Sequence, residues 1–205
     1  MTHPPRPVQF VVSFTDPAAV YARVCDWLTA GVASGRHPFH RMAVATTDRD
    51  GAPTARTVVV RGFDPAARTL VFHADARSPK VGEIARDPRV GLLLYDPVAR
   101  VQVRTTATAV AHRGDDAARD LWQGSRDDIR AGYAAARGPG EVMGPDEPSP
   151  YPPPQETDDP FAFDRFVAFT CRFDALDVLE LHPDGHRRVR LTWAGDGVAI
   201  ERLAP

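Results

Sequence analysis

The feature that most restricts the fold is the punctuation of residues 42–111. Short apolar or β-branched runs alternate there with turn signals, and one intervening segment has helical character. Met42 to Thr47 ends at Asp48-Arg49-Asp50-Gly51, with Gly51 placed for a positive φ. Thr54 to Arg61 runs into Asp64-Pro65, and Thr69 to Ala74 pairs back on it. Ser78 then reads as an N-cap and Pro79 as the first residue of a helix, with Val81, Ile84 and Ala85 on one face. Asp87-Pro88 stops that helix. Val90 to Tyr95 is continuously apolar and is expected to be a buried strand. After Asp96-Pro97, Arg100 to Ala111 alternates, with Gln102 and Arg104 on one face and Val101 and Val103 on the other. Consecutive strands with a single helix between the third and fourth do not make a doubly wound parallel sheet. They predict a mainly β chain, an antiparallel barrel with peripheral helices.

The flanks complete this plan. Residues 1–15 read as an N-terminal arm, since Pro4, Pro5 and Pro7 block an early helix. Asp16-Pro17 starts a helix whose Val20, Val24, Trp27, Leu28 and Gly31 share one face, with Gly31 as its C-terminal stop. Asp115 to Gly124 and Asp127 to Ala136 read as two short helices. Residues 138–160 are proline-rich and predict an exposed, partly extended loop. Phe161 onward is expected to resume strand, followed by Leu176 to Leu181, Arg187 to Trp193 and Val198 to Leu203 as a meander. The whole chain, 1–205, is read as one domain.

Composition narrows function mainly by exclusion. A net charge of -2 argues against a nucleic-acid surface. Cys25 and Cys171 form no CxxC and no zinc spacing, so buried reduced thiols are expected. No stretch approaches membrane-spanning length, and MTHPPRPVQF lacks a signal-peptide core, so a cytoplasmic protein is expected. His37 with His40, and His182 with His186, lack further ligands at fixed spacing, and no metal is expected. Neither GxGxxG nor GxxxxGK occurs.

The chemistry-bearing stretch is Arg56 to Lys80. Arg56 and Arg61 flank Thr57-Val58-Val59-Val60, and Arg77 and Lys80 bracket Ser78-Pro79; Lys80 is the only lysine of the chain. A phosphate monoester needs several donors, and guanidinium forks, a hydroxyl, an ammonium and a helix start supply them. Arg56 and Arg61 are five positions apart, so a regular strand sends them to opposite sides. Serving one ligand together then requires a strand end, a wrapped edge or a bulge.

The runs MAVATTDRDGAPTARTVVVRGFD, LVFHADARSPKVGEIARDPRVGLLLY and RVQVR, with LELHPDGHRRVRLTW and the closing ERLAP, are similar in kind and order to the pyridoxamine 5'-phosphate oxidase superfamily. That resemblance implies a split barrel binding flavin mononucleotide (FMN) at the interface of a homodimer. Carried over position by position, the cofactor would be held by Arg56, Thr57, Val58, Val59, Val60 and Arg61, by His73 and Ala74, and by Arg77, Ser78 and Lys80. Gln102 would join them, with Ser125 and Arg130 from the helical stretch, some of these coming from the second subunit. Arg188 and Arg190 stand in the segment that grips substrate. The chain departs from the family at Pro79, where an Arg is usual, and at Arg190, where a His is usual. Leu121, Ser125 and Ile129 fall where a substrate phosphate would be held. The implied function is an FMN-dependent oxidoreductase, hydride passing to flavin N5 from a small organic substrate other than pyridoxamine phosphate. A non-catalytic FMN carrier or sensor is the alternative, and a barrel that has lost the cofactor a third possibility. The catalytic residues stay unassigned.

Overall fold

The computed structural model describes residues 15–150, 161–195 and 197–205. The arm expected at 1–15 lies outside these except for Thr15, as do residues 151–160 of the proline-rich stretch and Asp196.

Nine strands form one sheet: β1 Arg41–Thr47, β2 Pro53–Asp64, β3 Thr69–Asp75, β4 Arg89–Asp96, β5 Val101–His112, β6 Phe166–Phe173, β7 Ala175–Glu180, β8 Arg187–Ala194 and β9 Gly197–Leu203. The order β4-β1-β2-β3-β6-β5, with β4 also paired to β5, closes a six-stranded antiparallel barrel. β5 is twelve residues long and is shared. Its start, Val101 to Arg104, pairs with β7, and its end, Ala107 to His112, pairs with β6. β8 and β9 continue outward from β7, so the meander is an extension of the barrel wall. The expected antiparallel barrel is therefore the observed architecture.

The barrel is filled from alternate positions of each strand. Val44, Val58, Val60, Phe72, Leu92, Leu94, Val103 and Phe169 are all buried, and Phe72 stacks on Phe169 with ring centroids 5.0 Å apart. Helix α1, Pro17–Ala33, closes one end. Asp16 caps it by accepting from the Ala18 and Ala19 N–H groups at 2.9 and 3.3 Å. Its buried face is Val20, Val24, Trp27, Leu28 and Gly31, at the expected spacing. Each large side chain buried this way contributes about 1.5–3 kcal/mol. The helix does not stop at Gly31 but runs to Ala33. A Cβ at Gly31 would sit 2.6 Å from the Phe39 carbonyl oxygen, so this glycine permits a close backbone approach and is not a terminator. Gly51 does have the positive φ, 85°.

Two further expectations are corrected. β4 is not buried on both faces: Val90, Leu92 and Leu94 point inward, while Leu93 and Tyr95 are 39% and 44% exposed. An apolar run reveals hydrophobicity but not whether a second layer covers it. Phe161 does not open a strand, because Ala162–Arg165 forms a short helix that buries Ala162 beside Tyr133 and Phe166. β6 starts after it and is covered on both sides, since Phe166 and Ala168 face a small outer cluster with Ala118, Trp122 and Tyr133. That cluster belongs to α3, Asp116–Gln123, and α4, Asp127–Ala131, with the turn Gly132–Ala134. The segment between β3 and β4 is α2, Pro79–Arg86, as expected. In order along the chain, the short helix before β6 is α5.

Three of the four paired histidines contact backbone groups. His40 Nδ1 lies 2.7 Å from the Gly31 carbonyl oxygen, His37 Nδ1 accepts from the Phe39 N–H, and His182 Nδ1 accepts from the Asp184 N–H.

Candidate functional site

The hand-over from β3 to α2 is a rigid turn built by Asp75. Its carboxylate accepts the Arg77 N–H at 2.8 Å and its carbonyl accepts the Ser78 N–H at 2.9 Å. The Arg77 guanidinium folds back on the same carboxylate, with Nε at 3.0 Å and Nη2 at 2.7 Å, and Nη1 donates to the Ala135 carbonyl at 3.0 Å. Arg77 is thus engaged in holding the turn against the segment after α4. It does not line the cavity described next.

That cavity, about 390 Å³, is walled by Thr57, Val58 and Arg61 of β2, His73 to Asp75 of β3, Lys80 of α2, and, from the helical segment and following loop, residues that include Asp128, Ile129, Tyr133 and Arg137. The volume is that of an ordinary small-molecule site. Lys80 Nζ donates to Ser78 Oγ at 2.6 Å and makes no ion pair among the described residues. Burial, and then the charge of Arg56, lower the pKa of Lys80. Arg61 makes neither a hydrogen bond nor an ion pair among the described residues, and burial lowers its pKa as well. Both ring nitrogens of His73 are buried without a hydrogen-bond partner. Burial, reinforced by Arg61, pushes its pKa down to about 4, so the ring is neutral at pH 7. It packs edge-on against Phe166 at 4.7 Å. Tyr133, buried nearby, keeps its phenolic proton because burial pushes its pKa up.

A cavity with two cations lacking counterions and a neutral imidazole lacking partners is incomplete on its own. Buried polar groups are normally satisfied, and cations without partners in a cleft call for an anion. The two carboxylates on the wall, Asp75 and Asp128, are held by Arg77 and Arg126 and reach Lys80 and Arg61 only through their fields. A phosphate ester supplies both the charge and the acceptors. Residues and ligand chemistry fit.

Arg56 has a different place. It lies on the inward face of β2 with Val58 and Val60, opposite Val44. Its Nη2 donates to Glu83 Oε2 at 2.7 Å and to Thr54 Oγ1 at 2.9 Å, and its Nη1 donates to the Thr46 hydroxyl. Burial alone would raise the Glu83 carboxyl. Hydrogen bonds from Thr46 and Arg56 outweigh it and hold the group below its ordinary value. Arg56 fastens α2 to the barrel and reaches the cavity only through its field on Lys80. The β2–β3 register does shift between Val60 and Gly62, at Arg61, but the two arginines stay on opposite faces of β2 and do not share the cavity.

A second cavity, about 650 Å³, opens on the outer face of the barrel. Its floor is small, made of Ala43, Ala45, Ala55 and Gly91, and its sides carry Leu93, Gln102, Arg104 and Arg190. The register explains this grouping. Thr57, Ala43, Leu93, Arg104, Asp177 and Arg190 are cross-strand neighbours in one row from β2 to β8. Thr57 belongs to the first cavity and Ala55, two residues earlier on the same face, to the second, so both open on one continuous surface. Asp177 pairs with Arg104 at 3.0 Å and with Arg188 at 2.8 Å. Burial would raise Asp177; the Arg188 and Arg104 hydrogen bonds keep it low. Arg188 is therefore engaged, whereas Arg190 has no ion pair among the described residues. Val59, on the face of Thr57 and Arg61, is half-buried.

Ser125 and Arg130 are not brought to either cavity. Ser125 Oγ donates to the Leu121 carbonyl at 2.7 Å, and Arg130 pairs with Asp127 at 2.5 Å beside the Trp122 ring. Sequence reasoning missed Asp75, Glu83, Tyr133, Arg137 and Asp177. Only Asp75 left a local trace, an Asp two residues before the bonded N–H of Arg77; the others act across the chain.

Residues 25–113 match the family model for the pyridoxamine 5'-phosphate oxidase FMN-binding domain. Over 91 residues the chain is 38% identical to a pyridoxine/pyridoxamine 5'-phosphate oxidase of Nitrobacter winogradskyi, covering 44% of this chain and 42% of that protein. It is 37% identical over 94 residues to the protein of that name from Rubrobacter xylanophilus, covering 46% and 41%. The matched part thus spans less than half the length of these curated relatives. Among solved structures, the chain resembles a pyridoxamine 5'-phosphate oxidase-related, FMN-binding protein of Nostoc punctiforme. The TM-score is 0.70 and the identity 25%, over 90% of this chain and 96% of that one. PhzG from Burkholderia lata, solved with tetrahydrophenazine-1-carboxylic acid, shares the fold at TM-score 0.69 and 22% identity, over 93% of both chains.

Proposed function

Because the chain belongs to the pyridoxamine 5'-phosphate oxidase-like split-barrel family, we propose that it is an FMN-dependent oxidoreductase acting on a small organic substrate other than pyridoxamine phosphate. The observation that carries this reading is the cavity in which Arg61 and Lys80 lack counterions and His73 lacks partners. Lys80, Ser78 and Arg61 would hold the cofactor phosphate, and the β2 backbone from Thr57 to Val60 would border the ring. When bound, the flavin would supply two-electron redox chemistry, taking a hydride from the substrate. His73 and Tyr133, both uncharged at pH 7, form walls that exclude water and add no charge of their own.

The helical segment supports a substrate without a phosphate held there. Ser125 and Arg130 are engaged as described, and Arg126 is paired with Asp128. Arg190 and Gln102, on the second cavity, are the groups left to orient a substrate. The same reading makes the protein a homodimer, with the flavin at the interface. Exposed Leu93 and Tyr95 on the cavity-bearing face are what a second copy would bury. It places the protein in the cytoplasm, where unpaired thiols such as Cys25 and Cys171 persist.

The test is direct. The purified protein should be yellow, with absorbance near about 450 nm and releasable FMN. Anaerobic reduction by a member of a small-molecule panel, followed by reoxidation in air, should give turnover. A yellow protein that no compound reduces would leave a carrier. A colourless protein that takes up no added FMN would end the proposal.

A further inference from the structure

The cavity receives one cation from a part of the chain that no flavin-site pattern covers. Arg137 lies on its wall, together with Pro139 of the same loop. Residues 136–150 form a closed loop, its ends joined by the Ala136 N–H donating to the Pro150 carbonyl at 3.1 Å. This loop is seated on the start of α2. Arg77 donates to the Ala135 carbonyl just before it. Gly138 is buried, and a Cβ there would come within 2.9 Å of Arg77 Cβ. A Cβ on Gly140 would be 3.9 Å from Pro79 Cγ. The loop therefore runs past Pro79, the exposed residue beside Lys80, which as a proline has no N–H and no polar side chain to offer an anion.

Arg137 is oriented from behind. Its Nε donates to Glu147 Oε1 at 2.7 Å, and its Nη1 is 3.9 Å from Glu141 Oε2. Glu147 is itself held by the Gly144 N–H at 3.1 Å, and Glu141 accepts the Gly138 N–H at 2.9 Å. Nη2 has no acceptor among the described residues. One edge of the guanidinium is fixed by carboxylates, and a donor remains on a residue lining a cavity that already holds Arg61 and Lys80.

We propose that Arg137 is a further ligand of the cofactor's phosphate, delivered by the 136–150 loop in place of a donor at position 79. This rests on the reading of the cavity as the FMN site and adds a residue and a direction of approach to it. The phosphate would then be gripped from the barrel by Arg61, from the helix by Lys80, and from the loop by Arg137. Ordering of the loop and capture of the phosphate become linked, because the carboxylates that fold the loop also set the guanidinium.

The experiment compares FMN with riboflavin, which lacks only the phosphate, by titrating flavin fluorescence against wild-type protein and the R137A and R137K variants. The expected result is a loss of about tenfold in FMN affinity in R137A, about 1.4 kcal/mol. Riboflavin affinity should stay within about twofold, and R137K should recover part of the FMN loss through its charge. Equal weakening of both flavins in both variants would make Arg137 a loop brace and overturn the proposal. So would unchanged FMN affinity in R137A. If the wild type binds FMN tightly, either failure touches only Arg137; if the wild type binds neither flavin, the FMN reading falls and this inference with it.

Discussion

Replacing His73 by Phe should stabilise the cofactor-free protein and flatten its response to acid. The ring nitrogens of His73 are buried without partners, and an orphaned buried polar group costs about 1–3 kcal/mol. Phe keeps the ring against Phe166 and removes both orphans. The larger effect is on pH. Burial and Arg61 lower the folded pKa to about 4, from an ordinary value of 6.5. Between those values the unfolded chain binds the proton more readily, so stability rises with pH across the window. Falling pH therefore removes stability from about 6.5 downward, and the loss levels off below about 4. At pH 5 the loss is about 2 kcal/mol, and at pH 7 it is only about 0.2 kcal/mol. Urea unfolding at pH 7, 6 and 5 measures this in wild type and H73F. The gap between the two proteins should widen by about 2 kcal/mol from pH 7 to pH 5. Parallel pH profiles would refute a neutral, partnerless His73. Saturating FMN should raise the imidazole pKa, because it brings a dianion into the same cavity as Arg61.

Arg56→Ala leaves the Glu83 carboxylate, 8% exposed, without its cation. Thermal unfolding should report a loss of about 2–3 kcal/mol, less than for a fully buried pair because Arg56 is partly exposed; an unchanged melting temperature would contradict the bracing role. Asp177→Asn leaves Arg104 and Arg188 unneutralised and should cost about 1 kcal/mol at pH 7. Since the folded pKa of Asp177 lies below its ordinary value, this stabilisation is present above that value and fades as pH falls through the folded one. The gap between variant and wild type should shrink as pH falls below the ordinary carboxylate value, and a gap that does not shrink would exclude the ion pairs as its cause. Leu93→Asp puts a charge on the exposed outer face of β4 and should leave the fold intact while sedimentation shifts toward monomer. A wild type that sediments as a monomer at high concentration would remove the dimer from the functional reading.

The barrel was readable because its information is periodic. Alternation along β5 and the i, i+3, i+4 spacing of α1 encode which side faces the core, and both match the structure residue by residue. What periodicity does not encode is the second layer. Leu93 and Tyr95 sit in the same apolar run as Leu92 and Leu94, and only closure of the barrel separates the buried set from the open one. The site was harder because its decisive question is which arginines have carboxylates. Arg56 and Arg61 look alike as flanks of Thr57-Val58-Val59-Val60. Glu83 comes from α2 to neutralise the first, while the second, on the opposite face of β2, lines a cavity in which it makes no ion pair with a described residue. Arg77 and Arg188, both read as ligands, meet Asp75 and Asp177 in the same way. In a chain where nearly every cation is an arginine, residue type carries little functional information. The absence of a counterion carries more, because a half-buried guanidinium is stable only if something returns its charge. Arg61 and Lys80 feel carboxylates only at a distance and make no ion pair with any described residue, which is the physical reason to look for an anion there.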